Sequence, residues 1–220
     1  SIRLIGNDRR RCRAAARIIP LLSQTGDTAG LGEAISLAAT LTEYMKQEYL
    51  ETAVESLAAQ GDFKAAVAVA SAIGRSWGHF SPQICAAAAA CARAGQLQEA
   101  LVLADVEYNA FRLQALAAVA RELRGPGQSM EFEGIVQKIL EIGNQAESHY
   151  FVSIAVSALV SLDRPQQAFA LWRKQLLGPL GDPKTFFEIL EGGAPALRSI
   201  NDGKTLARIC DGIVEVGQWW

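Results

Sequence analysis

The segment Leu57-Ala58-Ala59-Gln60-Gly61-Asp62-Phe63-Lys64-Ala65-Ala66 returns, altered, as Ala92-Arg93-Ala94-Gly95-Gln96-Leu97-Gln98-Glu99-Ala100, with the two glycines 34 residues apart. A period of that length is the mark left by stacked supersecondary units, each of which buries its apolar side only against its neighbours. It constrains the fold more than any other feature of the chain. Carried forward, it predicts turns at 129 and 163, each followed five residues later by a small residue. Gly134 and Ala168 stand there, beside Ala66 and Ala100. Small side chains in one register are expected to let paired helices approach closely.

Between the turns the apolar residues recur at helical spacing, as in Leu113, Leu116, Val119 and Leu123. Alternation of period two is not evident, so no sheet is expected. Gly61 should take the left-handed conformation that ends a helix, and Asp62 should cap the next one. Ser81 before Pro82 is a second start signal, since proline suits the first helical position. Pro20 should kink or end the first helix, which is expected over 8–22. Gly192-Gly193-Ala194-Pro195 should interrupt the penultimate one. The implied helix pairs span approximately 8–43, 46–74, 82–107, 111–142, 148–177 and 183–216. The register is shortened before the second pair and lengthened to 39 before the sixth, where Gly178-Pro179-Leu180-Gly181-Asp182-Pro183 forms a linker. The expected fold is all-α, one domain over 1–220, with about six antiparallel pairs.

The period, the tight turn and the pattern small-x-x-x-G-D-F-x-x-A resemble the tetratricopeptide repeat (TPR), best over residues 46–107. The resemblance implies a TPR-like right-handed α-solenoid that binds peptides or protein segments. The chain departs from the family's pattern in having Ala70 and Ala104 at a usually bulky position, which Trp172 fills in the fifth pair, and in lacking proline at 78 and 112. Related helical-hairpin solenoids of the HEAT kind are the nearest alternative. Such arrays also resemble the C-terminal sensor parts of large bacterial signal-transducing NTPases.

Apolar residues make up 50% of the chain and charged ones 20%, enough apolar surface for a sizeable core. A net charge of -2 offers no global attraction to phosphate or anionic lipid, so neither nucleic acid nor membrane is an expected partner. Four cysteines, Cys12, Cys85, Cys91 and Cys210, are widely spread and lack metal-knuckle spacing, which points to a reducing cytoplasm. The opening Ser1-Ile2-Arg3-Leu4, without an initiator methionine, is expected of a fragment of a larger protein.

Signals for chemistry are weak. Gly203-Lys204-Thr205 resembles the end of a phosphate-binding loop, but Arg198 stands where that loop requires glycine. His79, Cys85 and Cys91 match no familiar ligand spacing. No metal, cofactor or catalytic residue is expected. If an active site were present on the helical scaffold, Glu131, Glu133, His149 and Tyr150 would supply its acid–base groups; a purely architectural spacer is the third alternative. The Arg9-Arg10-Arg11-Cys12-Arg13 cluster reads as a solvated helix face.

The resemblance to such solenoids implies a concave face lined by the first helix of each pair, and Gly61, Gly95, Gly125 and Asp163, taken as equivalent positions, set the register on it. Glu48, Glu51 and Glu55 then fall on it in the second pair and Arg93 in the third. Arg112 and Glu122 follow in the fourth, and Tyr150, Ser153 and Ser157 in the fifth. An acidic patch beside an arginine pair suits a peptide cradle. Trp77, His79 and Phe80, in a loop between pairs, are alternative anchors.

Overall fold

The computed structural model describes residues 7–200 apart from 42, 74–81, 126, 147 and 177–182, together with 207, 208 and 211. The side chains at 43–48, 183 and 184 also lie outside the described residues. Among the described residues there are eleven helices and no strand. The contacts divide the chain into two compact units, Ser1–Glu133 and Gly134–Trp220.

The first unit contains α1 (Asp8–Thr25), α2 (Thr28–Ala39), α3 (Glu43–Ala59), α4 (Phe63–Ile73), α5 (Pro82–Arg93), α6 (Leu97–Ala104) and α7 (Asn109–Glu122). α1 packs on α2, α3 on α4 and α5 on α6; the odd-numbered helices α1, α3, α5 and α7 pack in succession, as do α2, α4 and α6. Local chemistry sets these boundaries. Asn7 caps α1 by accepting from the Arg9 N–H (2.8 Å), and Asp27 caps α2 through the Gly30 N–H (2.9 Å). Asp62 accepts from the Ala65 N–H (3.1 Å), as its place after Gly61 predicts. α1 runs through Pro20 to Thr25 instead of ending early, and Pro20 is buried in its interior. The packing of the stripe Cys12, Ala15, Ile19 and Pro20 outweighs the backbone hydrogen bond that proline removes.

The second unit contains α9 (His149–Ser161), α10 (Pro165–Leu176) and α11 (Pro183–Ile200), which pack on one another; the division between the units falls inside α8 (Ser129–Gln145). α11 is continuous through Gly192, Gly193 and Pro195, so the glycine pair does not interrupt it. An added Cβ on Gly193 would lie 2.1 Å from the Trp172 indole, and one on Gly192 would lie 2.7 Å from Ser153 Cβ. The two glycines are therefore where α11 closes on its neighbours. The Trp172 indole N–H donates to the Ile189 carbonyl (2.7 Å) across the approach that Gly193 permits.

Left-handed backbone marks the repeat. Gly26, Gly61, Gly95, Gly127 and Asp163 all have positive φ, between 56° and 92°. Gly26 stands 35 residues before Gly61, so the first hairpin keeps the register that was expected to shorten there. Between α7 and α8 the left-handed residue is Gly127, neither 129 nor Gly125. It lies 32 residues after Gly95 and 36 before Asp163, and the two deviations cancel.

The core follows these residues. Positions five, eight and nine after the left-handed residue are buried in four successive repeats: Ala66, Val69 and Ala70; Ala100, Leu103 and Ala104; Phe132, Ile135 and Val136; Ala168, Leu171 and Trp172. Each fully buried valine, leucine, isoleucine or phenylalanine among them contributes about 1.5–3 kcal/mol, and each alanine methyl less. Gly134, which the unbroken period had placed among the small buried residues, is exposed, and a Cβ there would meet nothing within 4 Å.

Candidate functional site

The odd-numbered helices of the first unit carry one set of its polar side chains. On α3, Glu55 is exposed and Glu51 is half-buried, while the side chain of Glu48 lies outside the described residues. Arg93 at the end of α5 and Glu122 at the end of α7 meet in a two-pronged ion pair. Arg93 Nε donates to Glu122 Oε2 (2.9 Å) and Arg93 Nη2 to Glu122 Oε1 (2.7 Å). The guanidinium beside it holds the Glu122 carboxyl below the usual carboxylate range, chiefly through these hydrogen bonds. Arg93 is correspondingly raised by the same partner.

The expected arginine pair does not form. Arg112 lies in the first turn of α7 and is bound to Asp105 in the α6–α7 connection, whereas Glu122 is at the opposite end of α7. Ten residues of helix separate those ends by about 15 Å. The misplacement follows from taking Gly125 as the turn residue. With Gly127 as the marker, Arg121 takes the register of Glu55 and Ser157, and Arg121 is exposed.

Tyr49 was missed from sequence, although an aromatic on the second helix of a basic–acidic pair could have flagged it. Arg9 Nε donates to the Tyr49 hydroxyl (2.7 Å), and the Arg13 guanidinium lies over the Tyr49 ring, 5.7 Å from its centroid. Farther along, the Ser23 hydroxyl donates to Asp62 Oδ2 (2.5 Å). Contacts from Arg9 to Tyr49 and from Ser23 to Asp62, separated by 40 and 39 residues, mean that α1 and α3 run parallel.

In the second unit, Tyr150 (55% exposed) and Ser157 lie on the outer side of α9. Ser153 is half-buried, and its hydroxyl donates to the Tyr150 carbonyl (2.8 Å). The structure adds three residues to these. His149 Nε2 lies 2.9 Å from Glu188 Oε2, and Phe187, beside Glu188 on α11, is 57% exposed. His149 to Glu188 and Ser153 to Gly192 are both separations of 39, the register the sequence reaches there. His149, Val152, Ser153, Trp172, Gln175, Ile189 and Gly192 line a small cavity between these helices.

Trp77, His79 and Phe80 lie outside the described residues, as do Gly203-Lys204-Thr205 and Cys210. Burial pushes the Cys85 thiol up to about 11, against the lowering field of Arg121, and pushes Cys91 to about 11, with Glu99 adding to the rise. Thiols so raised are poor nucleophiles and poor metal ligands. Glu131 and Glu133 are exposed on α8. Among the described residues, no group of three His, Cys, Asp or Glu side chains could hold a metal ion.

The described residues thus belong to an all-helical protein. Among them, no helix is long and apolar enough to cross a membrane. No protein-family model, curated protein or solved structure matches the chain.

Proposed function

We propose that this chain is a non-catalytic module that binds a protein or peptide segment. In this reading it is a TPR-like, right-handed α-solenoid of about six antiparallel helix pairs, serving as the interaction or sensor part of a larger cytoplasmic regulatory protein. The observation that carries the reading is the direct succession of α1, α3, α5 and α7, with α2, α4 and α6 packed in a second row. Outer side chains of one row then form a continuous strip that changes from basic on α1 to acidic on α3 and small on α5, ending at the Arg93–Glu122 pair. Its charges lie on helices whose buried sides are already committed to the core, so a ligand can use them without unfolding anything.

The partner contacts belong to Glu51, Glu55, Arg93, Glu122 and Arg121 in the first unit, and to Tyr150, Ser153 and Ser157 in the second. The test starts from peptides selected by display on the full chain. Their affinity should fall several-fold in the variant Glu51→Lys/Glu55→Lys, with helicity and melting unchanged. Peptides that bind this variant as tightly as they bind the parent would remove α3 from the site.

A further inference from the structure

We infer that the outer stripe of α1 docks an acidic, helical segment of a partner protein. Arg10, Arg13 and Arg17, all exposed, follow one another on α1 at spacings of three and four residues. On a helical wheel they lie within about 60° of one another and about 160° from the buried stripe of Cys12, Ala15 and Ile19, so the row faces away from the core. Leu21, 57% exposed, continues it one turn on. Arg11, Arg93 and Arg112 are paired with Asp8, Glu122 and Asp105. Among the described residues, no carboxylate pairs with Arg10, Arg13 or Arg17. The side chain that α3 sets against the row is Tyr49, whose ring lies under Arg13 and restrains its guanidinium with the charge uncancelled.

Three unmatched cations in a row are a cost to the isolated fold. Like charges three and four apart on a helix repel, and Arg10 stands in the first turn of α1, where the positive end of the helix dipole disfavours a cation. An anionic partner relieves both without disturbing anything buried. The spacing selects its form. Along the helix axis the three arginines are about 4.5 and 6 Å apart, and Leu21 is about 6 Å farther on. Carboxylates on one side of an extended strand recur about 6.8 Å apart, whereas on a helix they repeat the steps of the arginines themselves. Opposed helix dipoles favour antiparallel docking. The occupant is therefore a helix with an apolar residue followed four, eight and eleven positions later by acidic ones. Its apolar side chain meets Leu21, and its carboxylates meet Arg17, Arg13 and Arg10 in turn.

Other polyanions fit the row less well. A helix that binds an anionic membrane inserts its apolar side, and that side of α1 is buried. A nucleic-acid strand uses aromatic rings for stacking beside the basic groups, and the Tyr49 ring is covered by Arg13. Because the contact is made by exposed charges, binding is weak and salt-sensitive. The inference deepens the peptide-binding reading by naming the chemistry of one partner and assigning it to α1. Failure of the two is distinguishable, because Glu51→Lys/Glu55→Lys perturbs α3 and leaves the arginine row intact.

The experiment is fluorescence anisotropy of a labelled synthetic helix titrated with the full chain. The probe is an alanine-rich peptide of about 20 residues, long enough to be helical, with leucine and three glutamates at the stated offsets. At low salt it should bind the parent, and its affinity should fall on the order of tenfold or more near 1 M salt, where the Debye length is about 3 Å. A fall of the same order is expected in R10Q/R13Q/R17Q. A peptide of equal composition, with its glutamates spread around the helix, should bind several-fold more weakly. The variant E51K/E55K should bind the probe at least as tightly as the parent does. If the triple variant loses helicity by circular dichroism, Arg17→Gln replaces it, with a several-fold loss expected. Absence of binding at low salt overturns the inference, as does an arginine variant that binds like the parent, a rearranged peptide that binds equally well, or weaker binding by E51K/E55K. An oligothymidylate strand or a phosphatidylserine vesicle that binds more tightly than the probe, and is lost in the triple variant, would also overturn it and give the row to that polyanion.

Discussion

Gly193→Ala probes the packing of the second unit directly, because the usual effect of the substitution and the effect of its surroundings have opposite signs. In the interior of a helix, alanine gains about 1 kcal/mol over glycine. Here the new methyl would lie 2.1 Å from Trp172 Cε2 and Nε1 and 2.6 Å from Cδ1. Carbon contacts settle near 3.5–4 Å, so the indole or α11 must move by well over 1 Å. Trp172 is 2% exposed, and its N–H is committed to the Ile189 carbonyl. Overpacking costs about 1–3 kcal/mol, and stranding the indole N–H adds about 1–3 kcal/mol. After the helix gain is subtracted, Gly193→Ala should destabilise by about 1–5 kcal/mol. Gly134→Ala, inside α8 with open space around its Cβ, is the control and should stabilise by up to about 1 kcal/mol. Urea unfolding followed by circular dichroism reads both. In a Trp172→Phe background, which removes the N–H and part of the ring, the cost of Gly193→Ala should shrink. A Gly193→Ala protein as stable as its parent would refute the argument that these glycines exist for close approach.

Other consequences follow from single contacts. Glu122→Gln should cost about 0.5–1 kcal/mol, near the upper end for an exposed pair, because the geometry is two-pronged. The Glu122 carboxyl is held below its usual value, so its contribution is complete at neutral pH and is lost as pH falls through that lowered value. A difference between Glu122→Gln and the parent that persists at pH 2 would contradict this. Cys85 and Cys91, at about 11, are ionised at pH 8 to roughly one part in a thousand. Peptide mapping after iodoacetamide treatment should find them unmodified until urea unfolds the chain, and labelling at the rate of unfolded chain would contradict their burial. Asp163, with φ 56°, should accept glycine with a gain of a few tenths of a kcal/mol, whereas Gly61→Ala and Gly95→Ala should each cost about 1 kcal/mol. Melting temperatures of the three variants would reveal a wrong sign.

Helical character was legible because it is a local property, written in spacing and turn residues. The turn at 163 was predicted from two glycines far upstream, and Asp163 is left-handed there. The turn expected at 129 falls instead at Gly127, because a short repeat followed by a long one leaves no trace in the total. The candidate site is numbered from Gly125 instead; that choice takes in Glu122, which pairs with Arg93, and Arg112, which is bound to Asp105 near the other end of α7, and it leaves out Arg121.

Pro20 and Gly192-Gly193 illustrate a second limit. A residue that breaks an isolated helix and one that makes room for a neighbour look the same in sequence, and only the partner side chain separates them. For Gly193 that partner is Trp172, on a different helix. Tyr49 shows the same limit from the other side. Its significance comes from two arginines that α1 brings to it, not from its own neighbours in the chain.

The account turns on whether the outer sides of the odd-numbered helices are a binding surface. Hydroxyl-radical footprinting of the full chain, with and without a display-selected peptide, measures this side chain by side chain. The account predicts that protection gathers on the outer residues of α1, α3 and α5, with Leu21, Tyr49 and Pro82 among them, while Val102 on α6 reacts equally in both states. Protection confined to α2, α4 and α6, with the odd-numbered helices unchanged, would contradict it.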